Sequence, residues 1–283
     1  MARTSAISLI KTAPSTKAEL GEISGLVIEN IQADTLANGL KSQAYTGDPA
    51  TGSVEFKRFK NSSSQNYGTA RAAGKGSAIV VPPVTVNLST HKEIVEECAK
   101  FDIDTFGVGN IMARRADNHV MTVAAELDTA FFGAAVTDGQ TYTAADGATA
   151  VEKLEGLIQA VETTSNDYVR GVPRNLICVV CAPAYYGQIR TALDALPASN
   201  VDTAAEAFAI FHGVRVYSSV FVPDGTDAIA MIMGAIALPV VVYPYKDPEK
   251  IPLSNDFAVE LFFDYGVKTL TGDLIQVLAT PEG

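Results

Sequence analysis

The chain has 283 residues, 47% of them hydrophobic, with a formal net charge of −11 and a pI near 4.7. That apolar content can fill one large domain or two modest ones, which excludes a disordered chain. The acidic balance excludes the broad cationic surface that nucleic acid or an anionic membrane would require, and three cysteines, Cys98, Cys178 and Cys181, do not make a secreted disulfide framework.

Residues 1–46 mix short apolar runs with small polar residues and read as an arm with at most one short helix. The apolar run Ile7 to Ile10 is too short for a secretory signal, so the chain is expected to be cytosolic when made. After Gly47-Asp48-Pro49, Val54 and Phe56 share one strand face, and Val84, Val86 and Leu88 alternate with Thr85 and Asn87. These runs bracket NSSSQNYGTARAAGKG, so residues 47–86 are expected to form a long hairpin with a polar tip. Pro82 and Pro83 cannot donate ladder hydrogen bonds and suit an edge or the base. Between Ser53 and Ala78 the chain carries Lys57, Arg58, Lys60, Arg71 and Lys75 against Glu55 alone, leaving +4 here and −15 elsewhere.

Thr90-His91-Lys92-Glu93 has the form of a capping box, and Ile94, Cys98 and Phe101 follow at helical spacing, so a short capped helix is expected. After Gly107 and Gly109 comes NIMARRADNHVMTVAAELDTAFFGAAV. Val120, Val123, Ala124, Leu127, Phe131 and Ala134 lie on one stripe of a helix from Asn110 to Val136, about 40 Å long.

Gly139 to Gly147 reads as a loop, and Val151, Leu154, Leu157, Ile158 and Val161 define one face of an amphipathic helix. Then come a strand at NLICVVC, a helix from Pro183 through Tyr186, Ile189 and Leu193, a helix near Ala204 to Phe211, and a strand at VRVYSSV. The charge-free run Ala228 to Tyr245 is broken by Gly234, Pro239 and Pro244 into strand-sized pieces, which favours buried strands over a membrane span. Phe257, Val259, Leu261 and Phe263 alternate with Glu260 and Asp264. A turn at Thr271-Gly272-Asp273 precedes a last strand through Ile275, Val277 and Ala279. These closing strands need an apolar cover, which the long helix offers. No fixed-period repeat is present.

The residues offer no catalytic, cofactor-binding or metal constellation. AGKGS at Ala73–Ser77 lacks the upstream glycine, the Ser or Thr after the lysine, and the following helix of a phosphate-binding loop. Cys178 and Cys181 are three apart on a strand and so point to opposite faces. His91, His119 and His212 lack metal-ligand spacing, with His119 expected to be a packing or interface residue, and no G-x-S-x-G elbow is present. Glu96, Glu97, Asp102 and Asp104 read as a solvated or salt-bridged face.

The element order, with ARRADNHVMTVAAELDTAFFGA as a spine helix and MIMGAI and SNDFAVELFFDYG as later strands, resembles the major capsid protein of tailed bacteriophages of the Hong Kong 97 type. That resemblance implies an α+β fold with an N-terminal arm (1–46), an extended β-hairpin loop (47–86), a peripheral domain with the spine helix (87–140), an α/β axial domain (141–240) and return strands of the peripheral domain (241–283). It implies no enzyme and no cofactor. The chain would self-assemble, through hexamers and pentamers, into an icosahedral shell around the phage double-stranded DNA, with no membrane and no sequence-specific DNA binding. Scaffolding, portal and decoration proteins would be partners, the host bacterial cytoplasm the place of assembly, and the virion capsid the destination.

In this family the extended loop crosses a neighbouring subunit, which makes Lys57, Arg58, Lys60, Arg71 and Lys75 candidate inter-subunit residues. Glu93, Glu96, Glu97, Asp102 and Asp104 are the candidate acidic surface receiving them. The hairpin begins too early for the long N-terminal scaffolding segment of some relatives, so a separate scaffold or none is expected. Lys57, Lys60 and Lys75 lie in the loop, but no acceptor Asn or acid catalyst is identified, so no cross-link is predicted. The rival readings are an encapsulin-type compartment of the same fold and an intracellular α/β enzyme with a polar pocket.

Overall fold

The computed structural model describes residues 17–76, 78–106, 108–194, 210–245 and 249–280. Helices α1 (Lys17–Asp34) and α2 (Leu36–Leu40) lead to β1 (Tyr45–Thr46) and β2 (Ser53–Lys57), and a loop bearing the short α3 (Thr69–Ala73) returns to β3 (Pro83–Asn87). Then follow β4 (Thr90–Cys98), α4 (Lys100–Phe106), the 31-residue α5 (Val108–Asp138), β5 (Gln140–Tyr142) and α6 (Ala150–Glu162). Next are β6 (Ile177–Cys181), α7 (Pro183–Asp194), β7 (Ile210–Phe211), β8 (Val214–Ser218), β9 (Thr226–Ile232), β10 (Ile236–Ala237) and β11 (Val240–Val242). The chain closes with β12 (Glu249–Lys250), β13 (Phe257–Tyr265), β14 (Lys268–Thr269) and β15 (Ile275–Ala279).

The centre is a six-stranded sheet in the order β5-β15-β9-β6-β8-β7, covered on both faces. Along β6 the side chains alternate between two cores: Cys178 and Val180 join α5, while Ile177, Val179 and Cys181 join α6 and α7. The same split runs through β9, with Ile229 and Met231 on the α5 side and Ala228 and Ala230 on the other. A strand buried on both faces has no polar side to show, which is why NLICVVC and AIAMI are continuous apolar runs. The two cysteines are free, sit on opposite faces, and burial pushes both thiols up to about 12.

Helix α5 supplies the longest buried stripe, through Ala116, Val120, Val123, Leu127, Phe131 and Ala135. Arg115–Asp138 is long and apolar enough to cross a membrane, yet its apolar face is covered by α1 and the sheet. Helix α6 begins with a true capping box: Thr149 Oγ1 accepts from the Glu152 amide while the Glu152 carboxylate accepts from the Thr149 amide.

The same T-x-x-E pattern at Thr90–Glu93 does not start a helix. Residues Thr90–Cys98 are β4, which pairs antiparallel with β13 along its whole length, from Thr90 opposite Tyr265 to Cys98 opposite Phe257. Ile94, Glu96 and Cys98 are half-buried while Glu93, Val95 and Glu97 are exposed, the period of two that a strand requires. A cap contributes about 1 kcal/mol, less than a nine-residue ladder with Leu261, Phe263 and Tyr265 buried behind it. Phe101 belongs to the next element, α4.

The N-terminal region is also more ordered than expected. Over 17–34 it is an 18-residue helix with Ile23, Val27 and Ile31 buried against α5. The buried stripe has one residue per turn, with Gly21 and Gly25 beside it and Leu26 and Ile28 off it, which gives a weak periodic signal, and packing rather than propensity stabilises such a helix. Buried Asp128 of α5 then accepts from the amides of Leu36 and Ala37, at 3.2 and 2.8 Å, and so caps α2 from another element.

The helix expected at Ala204–Phe211 lies outside the described residues as far as 209, and its last two residues form β7 instead. Residues 241–280 do not serve a single unit: β13 pairs with β4, β11 and β12, whereas β15 enters the central sheet between β5 and β9.

Candidate functional site

The hairpin forms as its alternation predicts. Val54 pairs with Val86 and Phe56 with Val84, and Val54, Phe56 and Val86 pack on Ala237 in a small core of their own. Tyr45 of β1 adds a third strand opposite Phe56. Its far end is joined to the body at Gly266, where any Cβ would overlap the Asn87 carbonyl, so only glycine allows this approach. Lys268 Nζ donates to the Thr85 carbonyl at 3.2 Å.

Beyond β2 the chain changes character. Phe59 to Thr69, Arg71 to Gly76 and Ala78 to Val80 are all exposed, among them Tyr67 at 105% and Ile79 at 84%. Side chains without burial cannot offset the entropy of ordering this stretch, so what order it has comes from its base. There the Arg58 guanidinium makes two bonds of 2.8 Å to the Asp273 carboxylate and stacks 4.2 Å above the Tyr168 ring. Asn166 also donates to Asp273. Lys60 Nζ lies 2.8 Å from Asp167, and the Asn61 amide donates to the Asp167 carbonyl. Partial burial pushes the Asp273 carboxyl up, but bonds from Arg58 and Asn166 outweigh it and hold the group below its ordinary value. Lys60 likewise lowers Asp167 and is itself raised.

The five loop cations therefore divide. Arg58 and Lys60 are engaged by their own subunit, whereas Lys57, Arg71 and Lys75 are exposed and pair with no carboxylate among the described residues. The acidic group divides as well. Glu96 turns inward to Arg115, which holds both its oxygens. Asp104 pairs with Lys100 at 2.9 Å. Glu93 and Glu97 remain outward on β4, flanking Val95, which is 48% exposed. The Asp102 side chain lies outside the described residues.

Three partners of the loop base were not legible in advance: Asp167, Tyr168 and Asp273. Each sits in a polar turn, and nothing in the linear order tells which acidic turn folds beneath a hairpin more than a hundred residues away. Among the described residues no three His, Cys, Asp or Glu side chains stand close enough to hold a metal ion.

A family model described as phage capsid protein matches residues 93–275. Solved structures with a similar fold include Mycobacterium phage Che8, at 16% identity over 95% of this chain and 92% of that one, with a TM-score of 0.58. A capsid of an empty GTA particle is 15% identical over 88% and 90%, with a TM-score of 0.62. A virus-like particle from Pyrococcus furiosus is 12% identical over 92% and 98%, with a TM-score of 0.57. At such identities the structures speak to fold alone. Among curated proteins none matches.

Proposed function

The chain belongs to the phage capsid protein family and has the Hong Kong 97-type fold, and from that premise we propose how its shell is held together. It is a major capsid protein, a structural subunit that forms the virion shell with other copies of itself. In our reading residues 47–86 are the extended loop, the spine helix α5 with the β4–β13 sheet is the peripheral domain, and the central sheet with α6 and α7 is the axial domain. Helices α1 and α2 occupy residues 17–34 and 36–40 of the expected arm.

The observation that carries this reading is the loop: a stretch from Phe59 to Val80 that is exposed along its described residues, cationic, and aimed from a rigid base. Such a segment gains order when a partner covers it. The partner is an adjoining copy, whose outward Glu93 and Glu97 offer the complementary charge, with Arg71 and Lys75 at the tip and Lys57 beside the base. Arg58 and Lys60 aim the loop rather than dock it. Exposed Tyr67 and Ile79 supply apolar anchors within a polar rim. Hexamers and pentamers so linked enclose double-stranded DNA, with an acidic subunit that does not hold the genome. Assembly takes place in the bacterial cytoplasm, with scaffolding and portal proteins as partners.

Negative-stain microscopy of the expressed full chain tests the reading. Closed shells, tubes or sheets are expected; monodisperse monomers at high concentration would remove it. Nuclease-protected DNA in particles from infected cells separates a genome shell from a compartment that encloses protein cargo.

A further inference from the structure

Strand β4, THKEIVEEC from Thr90 to Cys98, has β13 along one edge and, among the described residues, no strand along the other. The ladder fixes which backbone groups that open edge presents. The Tyr243 amide donates to the Phe262 carbonyl at 2.9 Å and the Ile251 amide to the Asp256 carbonyl at 3.0 Å, so the even-numbered residues on this part of the chain turn their backbone toward β11 and β12. The odd-numbered ones, from Phe257 to Tyr265, therefore bond to β4, through their partners Thr90, Lys92, Ile94, Glu96 and Cys98. His91, Glu93, Val95 and Glu97 are left with N–H and C=O directed in the sheet plane away from β13. All four side chains are exposed, and such a row of outward backbone groups is a template for another strand.

The sequence of β4 selects that strand. Laid antiparallel against itself about Ile94, it sets Lys92 opposite Glu96, His91 opposite Glu97 and Glu93 opposite Val95. The outward groups of two such edges meet only when odd-numbered residues oppose odd-numbered ones, so neighbouring registers differ by two positions. One of those neighbours sets Glu93 against Glu93, and the other sets Glu93 against Glu97. Like charges directly opposite destabilise a ladder and unlike charges stabilise it, which favours the register centred on Ile94. That register also pairs all nine residues. Lys92 lies 3.2 Å from Glu126 and Glu96 is held by Arg115 within the subunit, so cross-strand pairing extends charge networks already in place.

We propose that β4 is an isologous joint, at which the same strand of a second copy adds antiparallel across a two-fold axis through Ile94 and carries the β4–β13 sheet from one subunit into the next. The axis stands perpendicular to the sheet. Both α5 helices then lie on one side, and His91, Glu93, Val95 and Glu97 of both copies lie on the other, where Glu93 and Glu97 remain open to the loop cations. His91 with Glu97 and Glu93 with Val95, each pair occurring twice, exchange both backbone bonds, whereas Ile94 meets Ile94 in a non-hydrogen-bonded pair about 4.5 Å apart at Cα. A nine-residue contact is small for a lasting dimer. It gains weight when repeated through a shell, so the joint rests on the shell reading for its setting.

Cysteine cross-linking of the full chain, with Cys98 replaced by Ser, reads the register. Ile94→Cys places two thiols at a spacing that a disulfide spans, while Val95→Cys leaves its thiols on the diagonal, roughly 7–8 Å apart at Cα. Val95 is the more exposed position, so random collision favours it. Under mild oxidation of assembled particles, the covalent dimer is expected to form about tenfold faster from Ile94→Cys. Equal rates, or a faster Val95→Cys, overturn the joint and leave the shell reading standing. If no particles form, the shell reading falls, and the same comparison in concentrated subunits decides the joint by the same rule. Should Ile94→Cys fail to fold, Val95→Pro removes one outward amide from each copy without removing a bond to β13. A particle yield about tenfold below that of Val95→Ala supports the joint, and an equal yield overturns it.

Discussion

Arg58 and Asp273, 215 positions apart in the chain, form a two-bond ion pair at 2.8 Å, and through it the base of the cationic loop is oriented by the turn just before the last strand of the central sheet. Both side chains keep some solvent contact, so the pair contributes about 1 kcal/mol rather than the value of a buried bridge. A double-mutant cycle with Arg58→Ala and Asp273→Ala should return a coupling of that size, together with faster proteolysis between Lys57 and Lys75 in each single variant. Because Asp273 is held below its ordinary 3.8, the coupling should be complete above that pH and disappear as the pH falls below it. A cycle with no coupling at neutral pH would mean that the loop base is positioned by the hairpin alone.

The division of loop cations predicts that they are not equivalent. Reversing Arg71 and Lys75 together with Lys57 should lower the yield of assembled particles while leaving subunit stability within about 0.5 kcal/mol. Reversing Glu93 and Glu97 in the same chain should restore part of the yield. Sedimentation of particles at two salt concentrations measures both effects, since rim charges weaken with ionic strength. Unchanged assembly in the triple variant would dismiss Glu93 and Glu97 as the receiving surface.

Asp128 holds α2 in place by accepting the backbone amides of Leu36 and Ala37. Asp128→Ala should destabilise the protein by about 1–3 kcal/mol, because two donors at the start of α2 lose their acceptor in a buried setting. Asp128→Asn, with one oxygen left to accept, should recover part of this in urea denaturation. Equal losses for the two variants would instead point to packing as the whole effect.

Arg174 bridges Glu155 and Glu162 on α6, at 2.6 and 2.8 Å, and His212 adds a contact to Glu155 at 2.9 Å. Burial raises the Glu155 carboxyl, but hydrogen bonds from Arg174, His212 and Gln159 overcome it and bring the group down to about 2. A carboxyl lowered in this way adds stability above its unfolded value of 4.5 and loses it as the pH falls toward 2. Glu155→Gln should therefore be about 1–2 kcal/mol less stable near neutrality, with the gap closing in acid. A pH-independent gap would contradict the ion-pair account.

The sequence by itself determined the elements whose signal is local. The period of 3.6 in Val120, Val123, Leu127 and Phe131 specified α5, the period of two in Val54, Phe56, Val84 and Val86 specified the hairpin, and the apolar run through Cys178 and Cys181 specified a strand, whereas the hairpin's register and the burial of that strand on both faces came from the structure. The element order was enough to carry the family resemblance, and the charge map singled out the loop. Only the tertiary structure decided that Thr90–Cys98 is a strand, since its capping pattern is worth less than the ladder with β13, a partner more than 150 residues away. Only the tertiary structure made α1 a docked helix, because its narrow apolar stripe gains stability from α5 rather than from its own turns. It also decided which charges are spent within the subunit and which face outward. Ion pairing depends on approach in space, and the linear order of Arg58, Lys60, Asp167 and Asp273 holds no record of that approach.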